Sequence, residues 1–411
     1  MLTVLLFILI LGLLVVAHEF GHFITARKSG MKVFEFGFGF PPRAFGFYRD
    51  PVTKKLVWIF GSGKTKEQKE NQKSTLANTV GGEEREEEYP ATLWSINYLP
   101  LGGFVKIKGE NGENAQEKDS FGAQKAWKRI IVLAAGVIMN IILAFVVLSV
   151  GFMIGLPTDL SGGNSDPRAI IVEKPSVVVE QVEDNSPAKA AGIQFGDKIL
   201  RIGASDMNWF EGDKLLGEEI NSQKLIDYVS LHIVEESSLV VERAGQNLII
   251  KMTPKMIKNV DTPKLGVALA DAGVIRYPWY LAIYKGFIAT FVVLLNIFIG
   301  FYYLIKNLVL GHGLIFDVAG PVGIATIVGQ SAKLGFNYLL NVVAMLSLSL
   351  AAINILPIPA LDGGRIVFVI LEKILKKPVP MKYEQLAHTI GFLLLMILVV
   401  VVTYRDVAKL F

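Results

Sequence analysis

Residues 2 to 26 read LTVLLFILILGLLVVAHEFGHFITA: an apolar run through Ala17, then two histidines around a glutamate, then apolar residues again. A run of this length spans the hydrocarbon core of a bilayer as a helix. No Lys or Arg precedes it, which sets it apart from a cleavable signal with a basic first segment, so a retained first helix is expected over 1–26. On that helix His18 and His22 are neighbours on one face, and both imidazoles can reach one ion. Glu19 sits close enough to act on water beside it. Polar groups inside an apolar span cost several kcal/mol unless paired or metal-bound. The motif therefore reads as a metal site rather than as a solvated helix face.

The rest of the chain repeats the pattern of the first helix. Of its 411 residues 52% are hydrophobic and 19% charged, which excludes an ordinary soluble enzyme and describes a polytopic α-helical membrane protein. Further spans are expected at 130–153, 338–356 and 387–403, making four, the last two within a block 338–411. A fifth apolar run, 286–305, lies in a membrane-associated stretch 279–335 and is read as re-entrant, interfacial or packed against the other helices. Lys and Arg crowd the loop 27–129, which the positive-inside rule assigns to the cytoplasm; the N-terminus and residues 155–278 then lie outside. The Lys373, Lys376, Lys377 and Lys382 cluster returns to the cytoplasm only if 286–305 does not cross.

Two water-facing blocks remain. In the cytoplasmic one, FEFGFGFPPRAFGFYRD and LWSINYLPLGGFVKIKG read as twisted strands punctuated by Gly and Pro, a membrane-associated β-hairpin region. Between them the polar stretch 61–88 cannot build a core and reads as a mobile insertion. The extracytoplasmic block alternates short strands with one helical stretch, the size of one small α+β domain. A net charge of +4 with no basic stripe sets nucleic acid aside, and the absence of Cys leaves only His and carboxylate to hold a metal.

Two imidazoles leave a tetrahedral Zn²⁺ site one protein ligand short of a catalytic centre with an open position. Asp362 is the candidate, in NILPIPALDGG (354–364), where two Pro break a helix and two Gly free the backbone at membrane depth. The alternative is a solvated loop carboxylate; the shared cytoplasmic end of both spans favours the ligand.

HEFGH in the first span, Gly136 and Asn140 four apart in the second and NILPIPALDGG in the third together resemble the site-2 proteases, intramembrane zinc metalloproteases, and most of all their bacterial branch that cuts anti-sigma factors. Asn185 to Asp197 resembles the SPAxxAGxxxGD stretch of PDZ domains, implying a single PDZ-like domain at 170–256, and GPVGIA at 320–325 fits the same family. The resemblance implies one zinc per chain on His18, His22 and Asp362, with Glu19 as catalytic acid/base. It also places Asn354 and Asn140 near substrate, and Gly102, Gly103 and Phe104 along the access to the site. The implied substrates are transmembrane segments of single-span proteins, anti-sigma-factor-like or signal-peptide remnants, cut in regulated intramembrane proteolysis after another protease has acted. The implied setting is the cytoplasmic (inner) membrane, with the PDZ-like domain outside and in contact with a peptide or protein. A metal transporter and a catalytically silent PDZ scaffold are the competing classes. No inverted repeat favours transport, and a scaffold has no need of polar groups at membrane depth. His312 and His388 fit no ligand spacing and read as structural or interfacial.

Overall fold

The computed structural model describes residues 2–61, 89–110, 112, 116–160, 166–183, 186–204, 221–231, 236–243, 245–253, 255–256, 263–310, 319–377 and 379–408. Most of the insertion expected at 61–88, together with Asn185 and His312, lies outside them. In chain order the helices are α1 (Leu2–Lys28), α2 (Ala126–Ile154), α3 (Pro187–Ala190), α4 (Ser222–Leu231), α5 (Trp279–Val309), α6 (Pro321–Leu334), α7 (Phe336–Asn354), α8 (Asp362–Leu375) and α9 (Met381–Ala408). Among the described residues α1, α2, α5, α7 and α9 are long and apolar enough to cross a membrane. The run 286–305 lies inside α5, an unbroken helix of 31 residues, about 46 Å long. A chain reversal within that run, the re-entrant alternative, is thus replaced by a continuous helix. Phe291, Leu295 and Ile299 on it are exposed, as are Leu5 and Leu9 on α1 and Leu394 and Val400 on α9. Such surfaces are stable against lipid and unstable against water.

The chain forms two compact units. The first comprises Met1–Ala144, Val293–Val318 and Met345–Val402. Its sheet is built from β1 (Val33–Arg49), β2 (Leu56–Phe60) and β3 (Leu93–Ile107). β1 and β3 are both bent: Val33–Phe38 pairs antiparallel with Gly103–Ile107, and Phe45–Phe47 with Trp94–Ile96. Further pairs from Glu35↔Leu93 to Phe38↔Ile96 set 35–38 between two segments of β3. Residues 103–107 therefore form one edge, and β2, paired with Phe45–Arg49, forms the other. The Phe/Gly alternation has a steric reason: the ring of Phe104 lies over Gly37 and that of Phe40 over Gly102, where a side chain would collide. Gly102 also has φ +91°, a conformation that favours glycine. The sheet docks on α1 through Phe23, Phe36 and Trp94, whose ring centroids are 4.9 to 5.5 Å apart. Farther toward the start of α1, the Phe38 ring packs on Gly12, about 9 Å along the helix from His18. The sheet's tip, with exposed Phe40, Tyr98 and Leu99, thus reaches the depth of an apolar span.

The second unit comprises Phe145–Val292, Ala319–Ala344 and Thr403–Phe411. Its six-stranded antiparallel sheet has the order β4 (Leu156–Asp159), β11 (Val267–Arg276), β5 (Ile170–Val182), β6 (Lys198–Ala204), β7 (Ser237–Arg243), β8 (Gln246–Met252), and β9 (Lys255–Met256) pairs separately with β10 (Pro263–Lys264). The sheet takes in strands at 156–159 and 267–276, outside the expected 170–256. Alternating Val177, Val179, Ile199, Leu239 and Val241 meet Ala188 and Leu225 in one buried core. The 186–197 stretch shows why its residues recur as a set. Ser186 caps α3 by accepting from the Lys189 N–H at 3.1 Å, and Pro187 occupies the first helical turn. Gly192 and Gly196 both adopt φ +84°. Asp197, 1% exposed, is clamped by Arg243 at 2.7 Å to each oxygen, a bidentate pair that satisfies a buried charge.

Candidate metal centre

The site lies in the first unit and is assembled by α1, α2 and the α7–α8 turn. His18 and His22, 7% and 8% exposed, present Nε2 to a common point. Asp362 Oδ2 stands 3.0 Å from His18 Nε2 and 3.4 Å from His22 Nε2, and the two Nε2 atoms are 3.2 Å apart. Ligands about 2.0–2.2 Å from a tetrahedral ion stand about 3.3–3.6 Å from one another, so the triangle has the right size. Among the described residues the buried Asp362 Oδ2 has only the two imidazole Nε2 atoms as polar neighbours, and with those lone pairs turned toward it a carboxylate oxygen at membrane depth needs a cation.

α2 supplies the backing for both imidazoles through Val132, Gly136 and Asn140, four residues apart along one face. His22 Nδ1–H donates to the Val132 carbonyl at 2.8 Å, leaving the Nε2 lone pair for the centre. His18 Nδ1 lies 3.3 Å from the Asn140 side-chain amide. With Nε2 turned inward, His18 carries its hydrogen on Nδ1, so the amide presents its oxygen there; in the opposite orientation that oxygen is buried without a donor. Between these contacts Gly136 keeps the space open: a Cβ on it would lie 2.5 Å from His22 Nε2 and 2.6 Å from His18 Nε2. Farther along, Gly21 brings α1 into backbone contact with Ala135 of α2, the close approach that small residues permit between membrane helices.

Asp362 opens α8. The preceding turn satisfies its own backbone, with Leu356 N–H bonded to Ile353 O, Ile358 N–H to Leu356 O and Leu361 N–H to Ile358 O, as irregular chain in a bilayer requires. Gly363 and Gly364 pack directly on the carbonyls of Ile355, Leu356 and Ile358, where no side chain fits. That is the physical content of LDGG. Ala360 holds φ +79°, which costs a non-glycine residue about 1–2 kcal/mol. α8 is braced by ion pairs from Arg365 to Glu110 and from Arg129 to Glu372.

Of the residues expected along the access, Gly103 lies beside Glu19: a Cβ there would be 3.5 Å from Glu19 Cγ. Gly102 and Phe104 flank it on the same edge. Asn354 is the last residue of α7 and partly buried. Asn140 is fully buried, with its side-chain amide beside His18. Val132 escaped sequence reasoning because it acts through its carbonyl. Gly136 was visible only as half of a spaced pair, and continuing that spacing of four backward would have led to Val132.

The chain matches the profile of peptidase family M50 over residues 6–81 and 84–398. It belongs to that family. Relatives of this M50 chain include the zinc metalloprotease RasP of Bacillus licheniformis, 31% identical over 455 residues that span 100% of this chain and 99% of the relative. The regulator of sigma-W protease RasP of Bacillus subtilis is 29% identical over 455 residues, again spanning 100% and 99%. The PDZ domain of the SdrC-like protein (Lmo2051) of Listeria monocytogenes shares 24% identity over 25% of this chain and 95% of its own, with a TM-score of 0.19, too low to carry a structural argument. M50 is the site-2 protease family, and its metal is zinc. The chain is a zinc-dependent intramembrane metalloprotease.

Proposed function

We propose that His18, His22 and Asp362 hold a single zinc and that Glu19 is the acid/base of peptide-bond hydrolysis. The observation that carries this reading is the convergence of the three ligand atoms to within 4.8 Å of one another around the space that Gly136 leaves open. Bound there, zinc supplies a Lewis acid that polarises the scissile carbonyl and lowers the pKa of water toward about 7. The Glu19 carboxylate takes a proton from the attacking water and delivers it to the leaving amine nitrogen. Asn140 and the Val132 carbonyl fix the tautomer and tilt of the two imidazoles. Replacing Asp362 with Ala is expected to abolish stoichiometric zinc in the purified protein, measured by elemental analysis; a full complement in Asp362→Ala would remove Asp362 from the ligand set.

A helical substrate has its amides bonded internally and must unwind before attack. The edge 103–107 beside Glu19 can take up the unwound segment by strand pairing, exchanging helical for strand hydrogen bonds. Asn354, which ends α7 ahead of the turn that carries Asp362, supplies a further amide to that segment. The substrates are single-span membrane proteins of the anti-sigma-factor type, shortened beforehand by another protease.

The proposed orientation puts the N-terminus and the six-stranded sheet outside the cytoplasmic membrane and the β1–β3 region inside it. Two contacts support it. Tyr277 N–H bonds to Phe152 O at 2.8 Å, and Gly155 lies against Asn337, so α2 ends where α5 and α7 begin. Between Tyr277 and Asn337 the chain therefore begins and ends on one side. α1 and α7 then run in the same direction, as a site shared by their C-terminal ends requires. The PDZ-like domain contacts a peptide or excludes bulky outer domains. Its edge supports the first role: among the described residues the β4 segment through Leu160 bonds to β11 along Asp271–Ile275 and not along Val267–Ala270, and α4 is tied next to that remaining stretch by Ser222, which donates to Asp271.

A further inference from the structure

We infer that His388 of α9 is a positioning residue for the zinc site: it holds the turn that aims Asp362 at the two histidines. The inference rests on the reading of Asp362 as a ligand. His388 Nδ1 accepts the Ala360 N–H at 2.8 Å, two residues before Asp362. To accept, Nδ1 must be unprotonated, so the ring carries its hydrogen on Nε2, which lies 3.8 Å from Glu384 Oε1. The bond falls where the turn most needs one. Ala360 has φ +79°, a conformation that persists in a non-glycine residue only when its surroundings hold it. Three residues along the same face of α9, Gly391 touches the Pro359 carbonyl, an approach that any side chain would block. On the other side the ring meets Phe368 of α8, centroid to centroid 5.7 Å. His388 thus connects the two ends of one small device, the left-handed residue before Asp362 and the helix that Asp362 begins. Gly391 sets how near α9 can come, and His388 sets where the chain stops.

The interaction requires an acceptor and not an imidazole as such. Asn places Oδ1 on the atom that carries Nδ1 in His, whereas Leu fills the space without an acceptor. The test uses the full-length zinc-loaded protein in detergent, comparing the parent with His388→Asn, His388→Leu and Asp362→Ala. The readout is the rate of zinc release to a chromogenic chelator, with the thermal midpoint of the metal-stripped protein as the check that each variant folds. Outer-shell partners of metal ligands are worth about 10–100-fold. His388→Leu is expected to release zinc about 10-fold faster than the parent, while His388→Asn stays within about twofold of it. The inference is overturned if His388→Leu releases zinc at the parental rate, or if His388→Asn is as fast as His388→Leu, which would mark His388 as packing only. If His388→Leu does not fold, His388→Gln takes its place, because its acceptor stands one bond too far out, and the same two outcomes decide. Asp362→Ala separates the two readings: parental zinc retention there would overturn the ligand assignment itself, whereas loss of zinc there with a parental His388→Leu would overturn only the role of His388.

Discussion

Gly136 is the residue on which the centre most depends without touching chemistry, since a single methyl group at that position occupies the space between His18 and His22. Gly136→Ala is expected to lower zinc affinity by about 10-fold or more while leaving far-ultraviolet circular dichroism unchanged, because Ala improves helix propensity. Elemental analysis after dialysis checks it; parental zinc content would mean that the two helices part easily. The two histidines of the proposed ligand set were legible in the sequence, because HExxH inside an apolar span has no inexpensive alternative. Val132 and His388 were not. Val132 acts through a backbone carbonyl that every residue possesses. His388 stands 28 positions from its partner Ala360, on a helix with no ligand motif of its own, so neither spacing nor periodicity links it to the site.

The edge 103–107 and α1 form the surface on which the proposed substrate segment is laid. At Gly103 the two come close: a Cβ there would meet Val15 Cγ1 at 3.4 Å and Glu19 Cγ at 3.5 Å on α1, and Gly37 O at 3.0 Å on β1. Gly103→Val is expected to reduce cleavage on the order of 10²-fold, the usual cost of displacing a reacting segment by about 1 Å, with zinc content unchanged. Equal cleavage by the variant in a reporter assay would detach this edge from substrate binding. The strands were legible as elements from the alternation of Phe with Gly and the flanking Pro residues. Their order was not, because β1 and β3 each bend and pair twice, and nothing in a period of two announces a bend. The helix α5 shows a different limit. Its length and apolar composition are plain in the sequence, but whether such a helix crosses depends on what the chain does on either side of it.

For the molecule as a whole, the proposed orientation makes a direct prediction, and the absence of Cys from the sequence makes it simple to test. Gln246→Cys in the six-stranded sheet is expected to react with a membrane-impermeant thiol reagent in intact cells, and Thr53→Cys in the β1–β2 turn only after the membrane is opened. The reverse pattern would invert the orientation. The assignment of chemistry to Glu19 is best tested by comparing the purified parent with Glu19→Gln for bound zinc and for cleavage of a single-span reporter. Gln keeps the shape of the side chain and removes its capacity to take a proton, so both proteins are expected to hold about one zinc and only the parent to cleave. Equal cleavage by Glu19→Gln would contradict the proposed mechanism.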